Sequence, residues 1–151
     1  TDTGDGEYGV SKEKSEKYIL QKGSRTCVIK TSIIGHEINT KHGFLEWFLN
    51  SEEDVWGYSE TYWSGNTTLQ WSKICYNLIT NWSNYEKIII PATKCISKYE
   101  LLEKIKNVYE KNNISIWEKS DVKVNKCLEK NTNVPTITEQ LKELREFYYD
   151  N

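Results

Sequence analysis

Short runs of β-branched residues alternate along this chain with helices whose starts carry capping residues. That alternation confines the fold to α/β or α+β. Residues 26–34 (TCVIKTSII) predict a buried strand, ended by Gly35. Residues 11–21 predict a helix stopped by Gly23, and residues 44–49 (FLEWFL) a short apolar helix after a polar loop over 36–42. Residues 55–62 read as strand or extended loop, running into Trp63-Ser64-Gly65-Asn66, a turn by composition. Thr67 and Gln70 form a capping box before Trp71, Ile74, Cys75, Leu78 and Ile79, which keep helical period to about residue 81. Residues 87–90 predict another strand. Ser97 and Glu100 cap a helix with Leu101, Leu102, Ile105, Val108 and Tyr109 on one face. Residues 114–117 predict a strand, 121–133 carry no clear pattern, and Thr136 with Glu139 opens a last helix bearing Leu141, Leu144 and Phe147.

A chain of 151 residues suits one compact domain over 1–151. Six Trp and ten Tyr supply enough apolar surface to fold. Net charge −2 and a pI near 5.8 argue against nucleic acid or an anionic membrane as the main partner. No apolar run reaches the ~20 residues of a membrane span, and no leader is evident, so the soluble cytoplasm is the expected place. Cys27, Cys75, Cys95 and Cys127 contain no pair at metal-ligand spacing, so no metal site is expected. They read as scattered thiols kept reduced. With no Met and only Gly- and Asp-rich residues 1–7 before the first helix, the chain reads as an excised fragment behind a loop or severed linker.

Tyr8-Gly9-Val10-Ser11-Lys12 carries the most specific chemistry. One helical turn places the Lys ammonium beside the Tyr phenol. A free phenol ionises near pH ~10, and an adjacent cation favours the phenolate. A Tyr and a Lys four apart thus form a proton-donor pair for a carbonyl. The spacing alone is weak, since Tyr18 and Lys22 repeat it.

Tyr8 to Lys12, Ser15-Glu16 and Lys30-Thr31-Ser32-Ile33-Ile34-Gly35-His36-Glu37 follow one another in order. So do residues 43–49, Gly57-Tyr58, Trp63-Ser64-Gly65, Thr67-Thr68-Leu69 and residues 96–102. Over roughly residues 5–125 this series resembles the carboxy-terminal half of extended short-chain dehydrogenases/reductases. The group in view is the dTDP-4-dehydrorhamnose reductase-like, sugar-nucleotide-binding family. Lys30 stands where that family usually has Arg, Ser15 where it commonly has Gly, and residues 81–87 lack an expected Gly.

The resemblance implies an α/β fold: the catalytic helix and strand of an extended Rossmann-type reductase plus a small α/β substrate-binding lobe. The amino-terminal dinucleotide half, with its Gly-rich loop, is expected to be absent, and the chain alone inactive. The implied activity is reduction of a 4-keto-6-deoxy sugar nucleotide with NADP or NAD, bound mainly by the missing half. Alternatives are a non-catalytic sugar-nucleotide-binding module, an epimerase or dehydratase of the same superfamily, or an interaction domain reusing the scaffold.

Tyr8 and Lys12 fall on the catalytic positions, and both contact the cofactor. Ser32 and Ile33 lie at a strand end, where ligands sit in open α/β sheets, and are implied beside nicotinamide and sugar. His36 is a substrate contact or proton shuttle, with a loop-capping role as the alternative. Trp63, Ser64, Gly65 and Asn66 are the candidate sugar or base contacts, a core Trp being the competing reading. The implied partner is a nucleotide sugar, and a full-length parent leaves room for a homodimer.

Overall fold

The computed structural model describes residues 6–23, 25–84 and 86–150. Helix α1 (Gly6–Lys22) begins earlier than the sequence predicts, with Glu7 in its first turn, where an acidic side chain suits the helix dipole. Residues 1–5 of the expected loop lie outside the described residues. The predicted strand over 26–34 is one extended run that changes neighbour midway. Its first part, β1 (Val28–Ile29), pairs in parallel with β6 (Ile88–Ile89). Its second part, β2 (Ile33–Ile34), pairs in parallel with β5 (Asn66–Thr67). Backbone bonds from Lys30 to Ile89 and from Asn66 to Ser32 hold the stretch between.

A second group of strands builds the lobe. Strand β3 (Val55–Tyr58) pairs in parallel with β8 (Ile116–Lys119), Val55 opposite Ile116 and Tyr58 opposite Lys119. Strand β4 (Thr61–Trp63) is the centre of a three-stranded sheet. It is antiparallel to β7 (Ile96–Ser97) and parallel to β9 (Val124–Lys126). The patternless stretch after residue 120 thus supplies a strand, all three of whose residues are exposed. Apolar periodicity is absent there because β9 buries no side chain.

Helix α2 (Phe44–Asn50), α4 (Lys98–Tyr109) and α5 (Ile137–Asp150) cover these strands, while α3 (Thr68–Thr80) packs near β2, β5 and α5. The caps form as the sequence predicts. Thr67 Oγ1 accepts from the Gln70 amide at 3.2 Å, Ser97 Oγ from the Glu100 amide at 3.0 Å, and the Thr136 amide donates to Glu139 at 2.8 Å. Leu45, Phe48, Leu101, Leu102, Ile105, Leu141 and Leu144 fill the core beside Val55, Ile116, Ile34 and Trp63. Phe147, expected on the apolar face of α5, is 57% exposed.

Residues 63–66, read as a turn by composition, run from the end of β4 into β5 with Trp63, Ser64, Gly65 and Asn66 all buried, in line with the competing reading of Trp63 as core. One expectation fails: the cysteines are not all reduced thiols. Cys95 and Cys127 are joined in a disulfide with Cα atoms 5.6 Å apart, while Cys27 and Cys75 are free. Wide sequence spacing concealed the pair, since β7 and β9 bring its ends together only in the sheet.

Candidate functional site

Helix α1 buries none of its residues. It is fastened to the strand run by an ion pair, Lys30 Nζ to Glu16 Oε2 at 2.7 Å. Tyr8 is 76% exposed, and Lys12 Nζ stands 5.4 Å from its ring centroid. Among the described residues neither side chain has a further hydrogen-bond partner. The pair therefore presents a phenol and an ammonium to solvent from one helical face.

The second predicted group is committed elsewhere. Trp63 Nε1 donates to Ser32 Oγ at 2.8 Å, which joins two of the predicted stretches but occupies both polar groups. Ser64 Oγ accepts from the Leu128 amide at 2.8 Å. Asn66 Nδ2 donates to the Pro91 carbonyl at 2.6 Å and to Thr31 Oγ1 at 3.1 Å. Its Oδ1 accepts from Gln140 Nε2 at 3.2 Å, and Gln140 Oε1 takes the Thr67 amide at 2.9 Å. This buried network ties α5 to β5, and each satisfied group avoids the ~1–3 kcal/mol penalty of an unmade bond. Gly65 is required by closeness: a Cβ there would collide with the Ser32 carbonyl and the Trp63 ring. Ile33 is 49% exposed on β2.

His36 belongs to a separate cluster. Its Nδ1 lies 2.6 Å from Glu46 Oε1, its Nε2 2.9 Å from the Tyr109 hydroxyl, and its ring stacks on Tyr148 with centroids 3.7 Å apart. Burial pushes the Tyr109 phenol far above its ordinary ionisation, and the neighbouring Tyr149 and Glu46 add to this. The imidazole thus joins the start of α2 to the ends of α4 and α5. No hydrogen bond among the described residues links it to Tyr8, Lys12 or Trp63.

A third group escaped the sequence reading. Lys98 opens α4, directly after the capping Ser97. Its Nζ lies 4.3 Å above the Phe44 ring centroid and 5.7 Å from that of Trp63. Among the described residues it has no carboxylate partner. Burial holds its ammonium below the ordinary lysine range, and the charge of Lys126 lowers it further. Lys126 sits opposite Trp63 in the β4–β9 register. A helix N-terminus also disfavours a cation. Three unfavourable terms converge on one half-buried amine, offset within the chain by cation–π contacts of roughly 0.5–2 kcal/mol. A bound anion would relieve all three. The available signal in the sequence was a Lys in the first helical turn, where an acidic residue is the norm.

Helix α1, the strand run and the lobe together match part of the Rossmann-like reductase fold seen in solved structures. The chain is similar to dTDP-4-dehydrorhamnose reductase from Bacillus anthracis in complex with NADP, with TM-score 0.75 and 17% identity over 91% of this chain and 54% of that one. The corresponding enzyme of Clostridium acetobutylicum gives 0.73 and 15% over 93% and 55%. UDP-N-acetylglucosamine 4-epimerase from Methanobrevibacter ruminantium, solved with UDP-N-acetylmuramic acid, gives 0.63 and 20% over 95% and 53%. The chain spans about half the length of these structures. No protein-family model matches the sequence, and neither does any curated protein. Among the described residues no three His, Cys, Asp or Glu gather as a metal site, and no helix is long and apolar enough to cross a membrane.

Proposed function

We propose that this chain is the catalytic-helix and substrate-lobe portion of an NAD(P)-dependent reductase acting on a 4-keto-6-deoxy sugar nucleotide. The observation that carries this reading is the pair Lys98 and Lys126 beside Trp63 and Phe44. A diphosphate supplies the negative charge this pair lacks, and a Lys ammonium is a fitting point-charge partner for it. Tyr8 and Lys12 fit a dinucleotide, because the hydroxyl and ammonium are exposed together and have no further partner among the described residues. The cofactor, when bound, supplies hydride to the carbonyl carbon. Tyr8 then gives its hydroxyl proton to the carbonyl oxygen, worth ~10²- to 10⁴-fold as general acid catalysis. Lys12 stabilises the phenolate left behind and meets a ribose hydroxyl. Ser32 and the buried residues 63–66 are engaged in hydrogen bonds beneath the site, while Ile33 leaves about half of its surface open on β2 to a ligand.

The epimerase among the similar structures favours one second reading, a nucleotide-sugar epimerase lobe. Both readings place the diphosphate on the same lysines. Calorimetric titration of dTDP and UDP into the chain tests the shared element. Lys98→Gln and Lys126→Gln are each expected to weaken binding about tenfold, equal to ~1.4 kcal/mol. Affinity indifferent to both substitutions would remove the diphosphate site. Tighter binding of dTDP than UDP favours the reductase, and the reverse order the epimerase.

A further inference from the structure

The disulfide brackets the two lysines. Cys95 directly precedes β7, and Lys98 follows within the same short segment; Cys127 directly follows Lys126 at the end of β9. Strand β4 lies between β7 and β9, with Trp63 facing Ile96 on one side and Lys126 on the other. Ser64, just past the end of β4, accepts from the Leu128 amide. Hydrogen bonds, and no burial, fasten β9. Its residues are exposed, and besides the ladder to β4 it is flanked by bonds from Thr61 Oγ1 to the Val122 carbonyl at 3.1 Å, from the Val124 amide to the Glu60 carbonyl at 3.1 Å and from the Leu128 amide to Ser64 Oγ at 2.8 Å. The ion pair of Lys123 with Glu60 is exposed, and such pairs contribute little. With no β9 side chain buried, Lys126 is held by its pairing with Trp63, by the Leu128 bond two residues on, and by the adjoining cross-link.

We propose that the Cys95–Cys127 disulfide is a redox-sensitive positioning link for the anion site, so that reduction by a dithiol releases Lys126 and weakens diphosphate binding. This rests on the Lys98/Lys126 reading above. In the step itself one thiolate of the dithiol attacks a sulfur of the bridge, giving a mixed disulfide. The second thiolate displaces it. Two electrons and two protons pass to the chain, which gains two thiols, while the dithiol becomes a disulfide. Lys98 stays anchored through α4, whose Leu101, Leu102 and Ile105 are core. Only the β9 half of the pair is set free.

The test is pyrophosphate binding by the 151-residue chain, air-oxidised, reduced with dithiothreitol, and reoxidised. Binding should weaken at least tenfold on reduction and return on reoxidation, while far-ultraviolet circular dichroism stays constant. Lys126→Gln should weaken binding in the oxidised chain and have little effect in the reduced one. The double variant Cys95→Ser/Cys127→Ser should behave as the permanently reduced form. Lysine-dependent binding that is equal in both redox states would overturn the redox link and leave the anion site standing. Absence of binding in every state would overturn both. Loss of the circular dichroism signal on reduction and in the double variant would make the bridge a plain structural staple and end the proposal.

Discussion

Single residues divide here into those the fold consumes and those it leaves to act. Trp63 is 4% exposed within the core and hydrogen-bonded through its indole. Trp63→Ala should therefore cost ~3–5 kcal/mol of stability, read by urea denaturation. A loss below ~1 kcal/mol would return Trp63 to the ligand-facing residues. Tyr8 is the converse case. Tyr8→Phe should leave stability within ~0.5 kcal/mol, as expected of an exposed position. In a full-length parent it should remove most turnover while substrate binding persists. Lys98 makes a pH prediction. Its folded value is lowered, so it binds fewer protons than in the unfolded chain and its burial cost fades as pH rises toward the ordinary lysine value of ~10.4. A bound anion requires the charged form. Diphosphate affinity should therefore fall, with proton uptake, as pH rises through the lowered value, and Lys98→Gln should flatten that profile.

At the scale of elements, the sequence disclosed what local chemistry controls. The caps at Thr67, Ser97 and Thr136 mark where α3, α4 and α5 begin because they satisfy orphan backbone donors within three residues. The ordered motifs likewise anticipated the half-reductase fold. What local chemistry does not control stayed hidden. Residues 63–66 carry turn composition, yet tertiary contacts from Gln140, Pro91 and Leu128 satisfy their polar groups and permit burial. Strand β9 lacks any apolar signal, and the disulfide depends on a sheet order that no spacing rule supplies. Of the candidate site, Tyr8 and Lys12 were visible as a motif, whereas Lys98 and Lys126 become a pair only through the β4 register. Reduction of the bridge, which spans 32 residues, should cost ~3–4 kcal/mol on the loop-entropy account. Denaturation with and without dithiothreitol measures this.

For the whole molecule, the fold match reaches about half of each similar reductase. Incubated with NADPH and a 4-keto-6-deoxy sugar nucleotide, these 151 residues alone should give no turnover. Measurable oxidation of NADPH dependent on the sugar would contradict that. The disulfide also removes the argument that all four cysteines are kept as reduced thiols.

The parallel pairings set how this lobe can be reached from the unfolded chain. Val28 meets Ile88, Val55 meets Ile116 and Thr61 meets Val124, each across about sixty residues. No hairpin can nucleate such a sheet. Loop-closure entropy must be met before any of these contacts rewards it, and high contact order of this kind slows folding into the millisecond-to-second range. During that interval β9 has no apolar grip, so α4 and α5, with their local caps and mutual contact, are the parts able to form early. Substitutions in the α4–α5 contact, such as Leu141→Ala, should slow refolding, whereas changes in β9 should mainly speed unfolding. Stopped-flow tryptophan fluorescence would separate the two arms.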